Sequence, residues 1–136
     1  MPVRPTILTV DDSKGLRLLV GQALSAFDCE VNEASNGFNG FFAIERARPD
    51  LILLDVAMPV MNGVDMLERL KAAPELADIP VLMLTSPTDH AVMGDIATLG
   101  ASGTIMKPFT PAALVEKVRG LVKLRPVKVQ VTPQKP

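Results

Sequence analysis

The stretch Leu51-Ile52-Leu53-Leu54, closed by Asp55, constrains this chain more than any other. Four consecutive aliphatic residues leave no side for solvent, so they read as a strand covered on both faces, in the middle of a parallel sheet. A carboxylate then falls where the strand ends, ahead of a loop opened by Met58-Pro59 and Asn62-Gly63. In open α/β sheets ligand chemistry lies outside the carboxyl ends of the strands, which places Asp55 for function. Taken alone, the residue serves equally well as a mere strand terminator.

The rest of the chain repeats the same alternation. Thr6 to Val10 is a β-rich run ending in Asp11-Asp12-Ser13, and apolar residues from Leu16 to Phe27 then recur at helical spacing, predicting a helix over about 14–27. A weaker strand spans Cys29 to Glu33, and a helix opened by Ser35-Asn36-Gly37 stops before Pro49, since proline disfavours a helical residue ahead of it. After the central strand, Asn62-Gly63 begins a third helix that ends near Ala73-Pro74. Ile79 to Leu84 is another buried strand with Thr85-Ser86 at its end, residues 88–99 form a fourth helix, and Ser102 to Met106 is the last strand, ending at Lys107-Pro108. Thr110 as N-cap and Pro111 at the first helical position start a final helix that runs to about Leu124. Five strand-then-helix units imply a parallel sheet with helices on both faces, whose strand order periodicity does not reveal.

The 136 residues suit one domain, assigned to 1–124, followed at 125–136 by a basic, proline-containing tail expected to be disordered. Within the tail, the alternation Val127-Lys128-Val129-Gln130-Val131 also suits strand addition to a partner. A net charge of −1 argues against a nucleic-acid surface spread over the domain, and the single Cys29 precludes an intrachain disulfide. No apolar run approaches the about 20 residues that span a bilayer, so the expected setting is the cytoplasm.

Function comes from what the strands leave at their carboxyl ends: Asp11 and Asp12, Asp55, Thr85, and Lys107. In a parallel sheet these converge on one rim. Clustered carboxylates repel one another unless a cation joins them, and hard oxygen ligands suit Mg²⁺, which shares its shell with phosphate oxygens. A lysine and a hydroxyl beside such an ion make a cradle for a transferred phosphoryl group. Each residue also has a plain reading: Asp11 and Asp12 as helix caps, Thr85 as a β-branched strand residue, Lys107 as a surface lysine. His90, the only histidine, reads as an exposed side chain, and the methionines as packing.

In order and spacing, VDD at 10–12, LLDVAMPVMNG at 53–63, LTS at 84–86 and KPF at 107–109 resemble the receiver domain of bacterial two-component response regulators, of the chemotaxis type and apparently stand-alone. The resemblance covers roughly residues 5–124 and implies a flavodoxin-like, doubly wound α/β fold with strand order 2-1-3-4-5 and five helices. It implies a phosphorylation-dependent signalling switch in which Asp55 takes a phosphoryl group from a phosphohistidine of a sensor histidine kinase or histidine phosphotransfer protein. Asp12, Asp55 and the backbone carbonyl of Ala57 would bind Mg²⁺ while Asp11 holds a metal-bound water. Thr85 would bond the arrived phosphoryl group and Lys107 pair with one of its oxygens, the Lys107-Pro108 bond being cis. Such a protein turns over no substrate. It relays its state to a downstream protein target through the face of helix four, strand five and helix five, where a homodimer is also possible, with no direct contact to nucleic acid or membrane.

Three positions depart from the family pattern. Thr104 stands where many receivers carry an aromatic ring three residues before the lysine, which puts a ring-based switch in doubt. Ala57 and Pro87, each two residues after Asp55 and Thr85, occupy sites that influence the hydrolytic water. Ala57 also weighs against an aspartate-nucleophile phosphatase, which places a second aspartate there as general acid. A receiver-like module without phosphorylation would lack one of the five groups, and flavin binding would need a Ser/Thr/Gly-rich loop after the first strand. Phe38 and Phe42 fall off the apolar stripe of their helix, marking a candidate docking patch.

Overall fold

A computed structural model describes residues 4–127. Five parallel strands, β1 (Thr6–Val10), β2 (Glu30–Ala34), β3 (Leu51–Asp55), β4 (Val81–Thr85) and β5 (Gly103–Met106), form one sheet in the order β2-β1-β3-β4-β5. This is the flavodoxin-like order expected. Helices α1 (Lys14–Leu24), α2 (Gly37–Arg46), α3 (Gly63–Ala72), α4 (Met93–Thr98) and α5 (Pro111–Arg119) connect and cover it.

The aliphatic run in β3 is central because both its faces are used. Leu51 and Leu53 pack with Val20 and Leu24 of α1 and Leu114 and Val118 of α5. Ile52 and Leu54 pack with Ile44 of α2, Met66 and Leu70 of α3 and Ile96 of α4. Each such side chain removed from water contributes about 1.5–3 kcal/mol, so β3 anchors two cores at once. Among the described residues no helix is long and apolar enough to cross a membrane.

Several boundaries differ from the periodicity reading, each for a local reason. Helix α1 stops at Leu24 because the Ser25 hydroxyl donates to the Gln22 carbonyl at 2.7 Å and draws the chain into a turn. Strand β2 is shifted by one residue, since buried Ala34 joins the ladder opposite Val10. Strand β4 begins at Val81 because Pro80 has no N–H to give the ladder, while the Ile79 N–H turns back to Leu76. The expected helix over 88–99 is two pieces, a 3₁₀ turn at Pro87–Val92 and the six-residue α4. A capping box between Ser86 and Asp89 tightens the first piece, and Val92 at φ −104°, ψ 0° separates it from the second. Helix α5 ends at Arg119 with Gly120 as its cap, after which buried Leu124 returns to the core.

Arg125–Val127, the start of the basic tail, lie antiparallel to the loop after α1: Asp28 N–H donates to Arg125 O at 2.7 Å and Val127 N–H to Ala26 O at 3.0 Å. Residues 128–136, and with them most of the strand-addition reading, lie outside the described residues. Of the methionines read as packing, Met61, Met66 and Met83 are buried, whereas Met106 is exposed at the end of β5.

Thr9 is fully buried on β1 and its hydroxyl has no hydrogen-bond partner. Burying an unbonded hydroxyl costs about 1–3 kcal/mol, so Thr9→Val is expected to raise unfolding stability by about 1 kcal/mol. A urea midpoint no higher than that of wild type would contradict this.

Candidate functional site at the carboxyl rim of the sheet

Strand register brings the acids together. Val10 pairs with Leu54, so the next residues, Asp11 and Asp55, leave neighbouring strands at one level. Thr85 pairs with Met106, so Lys107 leaves β5 one step further on. Ligand oxygens of Asp11, Asp12 and Asp55 lie within 4.8 Å of one another. Lys107 Nζ reaches in from the side, 2.6 Å from Asp55 Oδ1 and 3.8 Å from Asp11 Oδ2. The Lys107–Pro108 bond is cis, as expected. Thr85 is buried at the same rim, its hydroxyl donating a long bond of 3.4 Å to Ile105 O. All five side chains named from the sequence therefore meet at one rim, and exposed Ala57 follows Asp55 in the adjoining loop.

The capping role for the aspartates falls to Ser13, which accepts from Leu16 N–H at 3.2 Å and starts α1. Asp11 instead accepts from Ser13 N–H through Oδ1 at 2.7 Å, which leaves Oδ2 buried without a hydrogen bond. Asp11 is fully buried and Asp55 nearly so, whereas Asp12 is exposed at the mouth.

Burial dominates their titration. It pushes the Asp11 carboxyl from 3.8 up to about 6, the Ser13 bond opposing and the Asp55 charge adding. Burial also raises Asp55, and the Lys107 hydrogen bond and charge partly offset it. Two buried acids, an exposed third and one lysine thus leave a site short of positive charge, with an orphaned carboxylate oxygen facing it. An all-oxygen donor set of this kind fits a hard divalent cation.

Gly63 is a residue whose role at the site periodicity did not reveal. Its N–H donates to Val56 O at 2.8 Å, and a Cβ there would collide with the Asp55 carbonyl oxygen. The Asn62-Gly63 pair was legible only as a helix start; the close approach arises where α3 folds back under the end of β3.

The model for the response regulator receiver domain matches residues 7–119. The chain belongs to this family. As a receiver it has both curated and structural relatives. It is 36% identical over 123 residues to the phosphate regulon transcriptional regulatory protein PhoB of Pseudomonas aeruginosa, covering 89% of this chain and 53% of the relative. It is equally similar to the DNA-binding response regulator MtrA of Mycobacterium tuberculosis, covering 52% of that protein. The chain thus spans about half the length of the curated relatives it matches. Among solved structures, the chemotaxis response regulator CheY4 of Vibrio cholerae superposes with a TM-score of 0.81 at 31% identity, over 88% of this chain and all of that one. The signal receiver domain of a signal transduction histidine kinase from Syntrophus aciditrophicus gives 0.80 at 30% identity over 97% of both.

Two outcomes are expected from the receiver's acid cluster. Between pH 4 and 6 folded Asp11 keeps a proton that the unfolded chain has released, so metal-free stability falls as pH rises through this window. Asp11→Asn should therefore be more stable than wild type by about 2–3 kcal/mol at pH 7, and show no such gain at pH 4. Urea unfolding in chelator at both pH values measures this, and a pH-independent difference would refute it. Gly63→Ala should cost about 3 kcal/mol by forcing the β3–α3 loop away from Asp55, read as a fall in the urea midpoint.

Proposed function

We propose that this receiver is a phosphorylation switch in which Asp55 accepts a phosphoryl group from the phosphohistidine of a sensor kinase or phosphotransfer protein. The 2.6 Å contact between Lys107 Nζ and the buried Asp55 carboxylate carries this reading. It supplies an oxygen nucleophile at the strand end together with a cation placed for charge on the incoming group.

The reacting oxygen belongs to Asp55. One of its carboxylate oxygens bonds to phosphorus as the phosphorus–nitrogen bond to the donor imidazole breaks, and the bonding pair leaves with the imidazole. Lys107, held against Oδ1, opposes the upward push that burial exerts on Asp55 and then pairs with a phosphoryl oxygen. Thr85 has only its long bond to Ile105 O to give up before donating to the phosphoryl group, so its movement is the cheaper half of the switch. Half-buried Thr104 offers no ring to follow it, and the relay runs through the loop after β4.

Asp12, Asp55 and the Ala57 carbonyl would hold Mg²⁺, with Asp11 ordering a bound water. When bound, the ion supplies charge neutralisation for the acids and for the transferred group. The chain turns over no substrate; its output is a changed protein surface. The partners are a phosphohistidine donor and a downstream protein reached through α4, β5 and α5, a face that also suits a homodimer. With net charge −1 no nucleic-acid contact by this domain is invoked, and its place is the cytoplasm with its kinase.

The test is incubation with acetyl phosphate and Mg²⁺ followed by intact-mass measurement. Wild type should gain one phosphoryl group and Asp55→Asn none. Lys107→Ala should slow the reaction by at least about tenfold, the loss of one charge-assisted contact worth about 1.5–3 kcal/mol. Equal labelling of wild type and Asp55→Asn would sink the assignment.

A further inference from the structure

Away from the acid cluster, the outer face of α2 carries an aromatic ridge. Phe38 and Phe42 are more than half exposed, and their rings stand 6.0 Å apart on successive turns. Large aromatics left in water at i and i+4 forgo burial that a soluble surface ordinarily would not waste. Beside the ridge lies an apolar groove of about 240 Å³, walled by Phe41 and floored by Met61, enough for one or two aliphatic side chains.

A second, unrelated feature lies in the loop that supplies Met61. Val60, next to Met61 in the loop after β3, is 81% exposed and has φ +70°. A β-branched residue in the left-handed region costs on the order of 1–3 kcal/mol, and such strain collects at ligand clamps and switches. Glycine or asparagine would sit there with less strain, so the exposed valine carries a cost to folding. Met61 itself packs over Gly37, which joins this loop to the start of α2.

Charge selects the occupant. Phe42 also lines a neighbouring polar groove with Lys14, Arg17 and Arg46, and Arg69 stands at the apolar groove. Against these four cations the two grooves set Glu33 and Glu45, and Glu33 is already held by Arg17 at 3.0 Å. Among the described residues Lys14 and Arg46 have no ion pair. The face is therefore net positive on a chain whose total charge is −1. Two copies meeting ridge to ridge would confront like charges, whereas an acidic partner would pair them.

We propose that the α2 face, with Phe38, Phe42 and Met61 as its apolar centre and Lys14 and Arg46 as its rim, docks an acidic amphipathic helix of a partner protein. An apolar stripe at i, i+3, i+4 and i+7 fills the groove against the ridge, and flanking carboxylates meet the rim. Because Met61 lies in the loop that follows Asp55, with strained Val60 beside it, the docked helix touches the segment connecting the acid cluster to α3.

Binding is measured on the unphosphorylated full chain, so the outcome is independent of the Asp55 chemistry. The probes are two fluorescent helix-forming peptides with leucines on one face, flanked by glutamates in one and lysines in the other. Anisotropy should show saturable binding of the glutamate peptide, at least tenfold tighter than the lysine peptide. The Phe38→Ser/Phe42→Ser double variant should weaken it at least tenfold, with its melting temperature and phosphoryl uptake unchanged because both rings are exposed. Lys14→Glu/Arg46→Glu should reverse the charge preference. No binding, equal binding of the two peptides, or affinity indifferent to the phenylalanines would overturn the proposal. So would a dimer in sedimentation that the double variant dissolves, since the face would then belong to a second copy.

Discussion

The crowding of negative charge at the end of β3 is the constraint on which this structure turns. Asp11 and Asp55 are buried side by side with Asp12 at the mouth, and one ammonium, Lys107, stands among them. Burial makes both inner acids costly to ionise and drives their upward titration, and the neighbouring carboxylates add to it. The rest of the molecule keeps the groups from relaxing apart. Both faces of β3 are fixed in separate cores, and Gly63 seats α3 directly under the Asp55 carbonyl.

A site held under such tension is sensitive to any added charge. A divalent cation bound among the acids would relieve the repulsion, and the phosphoryl group of the proposed switch would add negative charge back. Thr85 and the loop beyond it stand beside this site at the end of β4. The threonine holds only a long bond to Ile105 O, while the segment after it is a 3₁₀ turn stapled by Ser86 and Asp89 in place of a full helix turn. On the opposite side, the loop after Asp55 leads through strained Val60 to the apolar groove of α2. The acid cluster thus sits between two irregular segments, each ending at exposed surface.

Much of this was readable from the chain. The unbroken aliphatic run at 51–54 fixed a central strand, because no other element buries four consecutive side chains of that kind so economically. The acids, the threonine and the lysine were legible because each follows a strand, and parallel strands present all their carboxyl ends on one edge. Element edges were harder to read. Pro80 without a donor, the Ser25 hydroxyl turning back on Gln22 and the Ser86–Asp89 box are local hydrogen-bonding choices that override apolar periodicity. Met106 looked like packing and is exposed, since a strand end has a neighbour on only part of its surface.

The sequence by itself determined the α/β alternation, the central strand and the identity of the five rim side chains, since these depend on hydrophobic period and on where polar residues interrupt it. Tertiary structure alone decided the strand order, the 2.6 Å closure of Lys107 on Asp55, the orphaned oxygen of Asp11 and the need for glycine at Gly63. Those features arise between segments far apart in the chain. Register, burial and close approach are properties of pairs of elements, and no single stretch of sequence carries them.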